Sequence, residues 1–131
     1  MSEVKDPTAS TLDPNLRSIL EIEDTDDKNF IYCGTCSNVI TRTAERIEIN
    51  GAHAHYFTNP HGFSFDVGCF ANALGCEISG NPEAADTWFM GYFWRIAGCA
   101  ECHAHLGWYF ATQEAQDYFY GLILDRIQEE K

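Results

Sequence analysis

The sequence predicts a mostly β domain over residues 29–128, with an acidic leader at 1–28 and a short tail at 129–131. Short apolar segments alternate with polar residues and are separated by Gly, Pro and Asn, which is typical of strands joined by turns. The chain has 131 residues, 45% of them hydrophobic, which suffices for one core and is too short for two. Two Cys-x-x-Cys pairs stand near the beginning and the end of the predicted domain.

The leader has eight acidic and three basic residues and no aromatic ones. Asp13 as the N-cap, Pro14 at the first helical position and the apolar Leu16, Ile19 and Leu20 predict a short helix within it. The acidic run that follows is typical of a solvated linker. Because the sequence does not begin with a basic segment followed by an apolar one, no signal peptide is expected, and the predicted location is the cytoplasm.

Seven strands are predicted from alternation and turn signals, at residues 30–32, 47–49, 53–57, 63–67, 92–97, 106–110 and 118–124. Asn50-Gly51 is a strong two-residue turn signal and predicts a hairpin between the second and third strands. Residues 69–87 contain Gly75, Gly80 and Pro82 and are predicted to be a loop. The last segment, 118–124, also fits helical spacing, so a helix remains an alternative there.

Net charge narrows the classes of partner. Eight Lys and Arg against 20 Asp and Glu give a net charge of −12 and a pI near 4.5. Such a surface repels phosphate groups, so neither nucleic acid nor an anionic membrane is expected as a partner. No stretch approaches about 20 consecutive apolar residues, so no transmembrane helix is expected.

Four of the six cysteines form the two pairs, Cys33/Cys36 and Cys99/Cys102. A Cys-x-x-Cys turn places two thiolates on one tetrahedral ion, so the four residues predict a single structural Zn²⁺ that joins the two ends of the domain. An ion with four thiolate ligands has no open coordination position and is expected to do no chemistry. Free thiols and two separate redox pairs are the alternatives, although the βαβ context of a thioredoxin-like motif is missing.

The two remaining cysteines, Cys69 and Cys76, lie among apolar residues. They are predicted to be small buried hydrophobic side chains. A catalytic thiol would need a nearby histidine or a helix N-terminus, which the sequence alone does not establish for either of them.

All three tryptophans surround the second cysteine pair. Trp88 and Trp94 flank Gly91, and Trp108 shares one face of the next strand with Phe110 because strand side chains alternate. These rings form either ordinary core or an aromatic box that holds a small flat or cationic ligand. Spacing alone leaves both possibilities open.

Three motifs follow one another along the chain: Asn59-Pro60-His61-Gly62, Trp88-x₂-Gly91-Tyr92-x-Trp94 and Cys99-x₂-Cys102-x₂-His105-Leu106-Gly107-Trp108-x-Phe110. With the first cysteine pair, they resemble the cereblon-type thalidomide-binding (CULT) domains over about residues 30–127. The resemblance implies a zinc-stapled β-tent of two antiparallel sheets. It also implies a pocket for cyclic imides such as glutarimide and for uracil-type rings such as uridine. Cyclic imides at the C-termini of aged proteins are proposed natural ligands of the family.

The resemblance also implies roles for individual residues. Trp88, Trp94 and Trp108 would form three walls, and Phe110 would support the floor. The backbone around Asp86 and Trp88 would pair with the imide, while Asn59 would approach from the facing loop. Asp86 departs from the family, which has a histidine there, and an ionised carboxylate cannot donate a hydrogen bond. The Lon-like and ligase-recruiting regions of the family have no counterpart in 131 residues, so no ubiquitin-ligase adaptor role is expected.

Three other functions are weighed against this one. The segment from Cys99 to Gly107 also resembles the zinc-binding part of B-type methionine sulfoxide reductases. Those enzymes need a later nucleophilic cysteine, whereas Cys102 is the last one here. The pairs His53/His55 and His103/His105 suggest a catalytic metal, but a third ligand is not identifiable. The third alternative is a zinc-stabilised interaction scaffold with the tryptophans as core. The sequence therefore predicts a ligand-binding domain and no enzyme.

Overall fold

A computed structural model describes residues 29–129, which form nine strands and two short 3₁₀ helices. The predicted leader and its helix lie outside the described residues. The strands are β1 Phe30–Cys33, β2 Val39–Arg42, β3 Ala54–Thr58, β4 Ser64–Phe70, β5 Cys76–Glu83, β6 Phe93–Cys99, β7 His105–Ala111, β8 Tyr118–Ile123 and β9 Ile127–Glu129. The 3₁₀ helices are η1 Thr43–Glu45 and η2 Leu124–Arg126. Within residues 29–129, no helix is long and apolar enough to cross a membrane.

The strands form two sheets in which every pair of neighbours is antiparallel. The smaller sheet has the order β2-β1-β9, and the larger has the order β3-β4-β8-β7-β6-β5. The predicted fold class, mostly β with two antiparallel sheets, is confirmed. The predicted domain limits stay predictions, and β9 extends to Glu129, inside the predicted tail.

Buried side chains gather in two clusters. The first joins the two sheets, because it contains Ile31 and Ile40 from the smaller sheet and Ala97 and Leu122 from the larger one. The second is aromatic and lies on the larger sheet around Phe89, Phe110 and Phe119, whose rings are at most 1% exposed. Burying such side chains contributes about 1.5–3 kcal/mol each. The aromatic cluster is the base on which the candidate site is built.

The loop predicted for residues 69–87 is wrong at 69–70, where β4 continues to Phe70, and at 76–83. β5 occupies Cys76–Glu83 and pairs with β6 along one edge of the larger sheet. Its register shifts between Ser79 and Glu83, and Gly80 has a φ of +83°. A sheet edge tolerates such a bulge, and it tolerates Pro82, since one side of the strand needs no N–H donor.

The predicted hairpin around Asn50 and Gly51 forms only its turn. These residues have φ values of +55° and +88°, as a type I′ turn requires, but the pairing stops at one bridge between Ile49 and Ala52. The predicted strand at 47–49 is therefore wrong, and β3 takes β4 as its partner. Residues 118–123 form a strand and no helix, while β2 and β9 were not predicted.

Candidate ligand pocket and metal centre

Four cysteine sulfurs meet where the two sheets come together. The Sγ atoms of Cys33, Cys36, Cys99 and Cys102 all lie within 4.8 Å of one another. Cys33 Sγ is 3.7 Å from Cys102 Sγ, and Cys36 Sγ is 3.6 Å from Cys99 Sγ. The structure thus brings together the four predicted ligands, although 62 residues separate the two pairs in the chain. They can hold a metal ion.

The two turns that carry these sulfurs have the same construction. Each begins with the last residue of a strand, Cys33 of β1 or Cys99 of β6. In each, the N–H four residues later donates to the carbonyl of that cysteine at 2.9 Å, from Ser37 in one turn and His103 in the other. Both of these residues have a positive φ, 66° and 67°. The repeated geometry aims both pairs at one point.

Backbone N–H groups point at the sulfurs. Thr35 N donates to Cys33 Sγ at 3.4 Å, and Glu101 N and Cys102 N donate to Cys99 Sγ at 3.4 and 3.5 Å. Although burial opposes ionisation at Cys99, these bonds lower the pKa of its thiol to about 6. A thiolate is the form that binds a soft cation, so the donor set suits a tetrahedral metal such as Zn²⁺.

A separate pocket of about 220 Å³ opens on the aromatic side of the larger sheet. Its lining contains all six residues predicted to bind a ligand, namely Asn59, Asp86, Trp88, Trp94, Trp108 and Phe110. Pro60 and His61 also line it, and the sequence interpretation did not assign them a role. Their signal was the Asn-Pro-His-Gly turn itself, of which only Asn59 was used.

The sheet register sets the walls of the pocket. Trp94 on β6 lies directly opposite Phe110 on β7. Trp108 precedes Phe110 by two residues on β7, so its side chain projects from the same face of the sheet. Trp88 comes from the loop before β6, and its ring is 4.8 Å from that of Trp108 at an angle of 80°. All three indoles are half-buried, whereas Phe110 is buried beneath them. The three indoles and Phe110 thus belong to one aromatic cluster and line the same pocket.

Two phenylalanines that the sequence interpretation missed support the tryptophans. Phe57 on β3 stacks on Trp88 with ring centres 4.6 Å apart and nearly parallel planes. Phe65 on β4 packs edge-on against Trp108 at 5.5 Å. Ring pairs of this kind contribute about 0.5–1.5 kcal/mol beyond the burial of their area. Residues on two further strands, β3 and β4, thus hold Trp88 and Trp108 in place.

The loop 84–88 is held by one of the walls. Trp94 Nε1 donates to Ala85 O at 2.8 Å, and Thr87 N donates to Ala84 O at 3.4 Å. Between them Asp86 has a φ of +59°, a conformation that costs a residue with a side chain about 1–2 kcal/mol. The indole hydrogen bond therefore fixes a strained backbone at the edge of the pocket. The Asp86 side chain is exposed.

Asn59 faces this loop from the β3–β4 turn. Its Oδ1 accepts hydrogen bonds from His61 N and Phe63 N, both at 3.0 Å. Because the carbonyl end of the side chain is used to close the turn, the NH₂ end is the part that can donate to a ligand.

The other candidate residues contact protein groups. His53, His55 and His105 each have a ring nitrogen 2.9–3.1 Å from a backbone carbonyl, and His103 Nδ1 lies 2.6 Å from Glu77 Oε2. Among residues 29–129, the four cysteines are the one group that meets metal-binding geometry. Cys69 is fully buried, as predicted, and Cys76 is half-buried. Burial raises the pKa of both the Cys69 and the Cys76 thiol to about 12, so neither is activated as a nucleophile.

No model of a protein family matches the chain. Among curated proteins, it is 35% identical to protein cereblon of Gallus gallus over 109 residues, which are 76% of this chain and 24% of that protein. Protein cereblon of Danio rerio is 32% identical over 70% of the chain and 22% of its own length. That of Xenopus tropicalis is 31% identical over 75% and 23%. The chain carries a cereblon-type (CULT) domain. It spans about a quarter of the length of these cereblon relatives.

Proposed function

We propose that this cereblon-type domain binds cyclic imides and uracil-type rings without covalent chemistry, in the pocket between Trp88, Trp94 and Trp108. The observation that supports the proposal is the cavity of about 220 Å³, whose lining includes the three half-buried indoles and the buried Phe110. Ligands that fit are glutarimide, thalidomide-like compounds, uridine and cyclic imides at protein C-termini. Binding involves no turnover, so the domain acts as a receptor and not as an enzyme.

The apolar part of the affinity comes from the ring carbons. Glutarimide has three ring methylenes, and burying each one contributes about 0.8 kcal/mol. Offset stacking on an indole adds about 0.5–1.5 kcal/mol. Because so small a ligand must also cover the cost of association, we expect dissociation constants in the micromolar range.

The polar part comes from the edge of the ring. An imide presents an acceptor, a donor and an acceptor in a row, and backbone groups of the loop 84–88 match two of them, a carbonyl for the N–H and an N–H for one C=O. The Asn59 NH₂ group is the donor for the other C=O, since its Oδ1 already accepts two hydrogen bonds. An ionised Asp86 offers no donor. We therefore expect that this domain binds imides more weakly, or binds fewer kinds of imide, than it would with a histidine at this position.

The metal completes the proposal. We propose that Cys33, Cys36, Cys99 and Cys102 hold one Zn²⁺ that joins β1 of the smaller sheet to β6 of the larger one. A closed four-thiolate site stabilises the fold and performs no reaction. Thiolates stay reduced in the cytoplasm, where we place the protein.

Titration of the protein with glutarimide and with uridine, followed by tryptophan fluorescence, tests the proposal. A ring stacked between the indoles should quench the emission with a saturating, micromolar curve. N-methylglutarimide is the matched control ligand, because it lacks the N–H group that would donate to the loop carbonyl. Its dissociation constant, measured by the same quenching, should be at least about fivefold higher, as expected for one lost hydrogen bond. If no five- or six-membered imide changes the emission of folded protein, the domain is a scaffold and the proposal fails.

A further inference from the structure

Cys76 lies directly opposite Cys99 where β5 pairs with β6. Side chains of directly opposed residues project from the same face of a sheet. Cys99 is one of the four clustered cysteines, whereas Cys76 lies outside the cluster and has no role in the proposed function. The fold thus places a fifth sulfur beside a metal-binding one.

The hydrogen bonds around this pair identify its type. Cys76 N donates to Ala73 O and Cys99 N donates to Ala104 O, so neither N–H crosses to the opposite cysteine. Ala100 N donates to Gly75 O at 2.9 Å, which is the bond that flanks the pair. Cys76 and Cys99 are therefore a non-hydrogen-bonded pair, the kind in which the Cα atoms come to about 4.5 Å. That separation lies within the range of about 4.4–6.8 Å that a disulfide spans.

We infer that Cys76 and Cys99 form a disulfide when the protein meets a peroxide. One of the two sulfurs attacks one oxygen of H₂O₂. The O–O bond breaks, the sulfur becomes a sulfenic acid, and the second oxygen leaves as water after taking up a proton. The other sulfur then attacks the sulfenic sulfur, and its proton leaves with the hydroxyl group as a second water. Each sulfur gives one electron to form the S–S bond, and two waters balance the peroxide consumed.

The disulfide has a consequence for the metal centre. Because Cys99 cannot be a thiolate ligand and a disulfide partner together, formation of the bond removes one of four donors and lowers metal affinity. The inference itself does not require that imides bind, since it rests on the β5–β6 register alone.

Disulfide mapping of peroxide-treated protein tests this assignment. The full chain with Cys69→Ala is the reference, because Cys69 is buried in the aromatic cluster and its removal leaves Cys76 as the one cysteine between Arg46 and Arg95. After treatment with H₂O₂, free thiols are alkylated without reduction and the protein is cleaved after Arg and Glu. Cleavage after Glu101 separates Cys99 from Cys102.

The expected product is a peptide with Cys76 joined to the peptide with Cys99. In the double variant Cys69→Ala/Cys76→Ala this product is absent, and release of bound zinc by the same dose of peroxide is slower than in the reference. Circular dichroism before treatment confirms that both proteins are folded. If Cys99 is joined only to Cys33, Cys36 or Cys102 in the reference protein, or if Cys76 is recovered fully alkylated, the inference is wrong.

Discussion

The indole hydrogen bond from Trp94 to Ala85 gives the sharpest prediction. Trp94→Phe keeps an aromatic wall but removes the Nε1–H that donates to Ala85 O. Trp108→Phe makes the same change of ring at a residue for which the described part of the structure contains no such bond. Comparing the two variants therefore isolates the role of the hydrogen bond from the role of ring size.

The expected magnitude follows from the loop that the bond holds. A net hydrogen bond contributes about 0.5–1.5 kcal/mol. Asp86 keeps its φ of +59° at a cost of similar size, so without the bond the loop 84–88 leaves its ligand-ready conformation for much of the time. The apparent affinity for the ligand falls in proportion to the fraction of protein whose loop is in the ligand-ready conformation. For Trp94→Phe this gives a loss of affinity of about five- to tenfold. Trp108→Phe should lose less than about threefold.

Calorimetric titration with glutarimide measures both affinities without depending on tryptophan emission. Adding Asp86→Gly to Trp94→Phe should recover part of the loss, because glycine adopts a positive φ without strain. The reasoning is refuted if Trp94→Phe and Trp108→Phe weaken binding equally, or if the added glycine weakens it further.

Three more outcomes are expected from the metal centre, the loop and the half-buried His105. Chelation of zinc should abolish the cooperative thermal transition, because metal binding to such sites contributes about 10–16 kcal/mol, as much as the whole stability of a domain. An unchanged melting curve after complete zinc removal would contradict this. Asp86→Asn should tighten imide binding about two- to tenfold, since an amide donates where a carboxylate cannot, and unchanged affinity by calorimetry would rule that out. Burial lowers the pKa of His105 below its usual 6.5, so the unfolded chain binds more protons than the folded one and the free energy of unfolding falls as the pH drops below about 6.5. His105→Gln should reduce this loss of stability when it is measured by urea denaturation. If the variant and the unchanged protein lose stability with pH to the same extent, His105 is not the source.

The residues that the sequence singled out lie together in the pocket and in the cysteine cluster, whereas several strands around them were predicted wrongly or missed. Both cysteine pairs and all three tryptophans could be found because their motifs are defined by residue spacing, which does not depend on where the strands begin and end. β5 was missed because Gly80 and Pro82 signal a loop, and only the edge position and bulge of the strand explain how a sheet accommodates them. The pairing of β3 with β4 is a hairpin closed by the Asn59 turn, and it was missed because Asn50-Gly51 was taken as the turn that pairs β3 with residues 47–49.

The support of the tryptophans was likewise beyond the sequence. Phe57 stacks on Trp88 although 31 positions separate them, and nothing in the alternation of residues 53–57 distinguishes this ring from an ordinary core residue. The same holds for the indole bond to Ala85, since a side chain that donates to a distant carbonyl leaves no trace in composition.

A crystal structure of the protein with glutarimide bound would test the central claim most directly. The account predicts the ring between Trp88, Trp94 and Trp108, with its imide edge turned to the backbone of the loop 84–88 and its methylenes against the indoles. A ring bound elsewhere, or an empty cavity into which the three indoles have closed at saturating ligand, would contradict it.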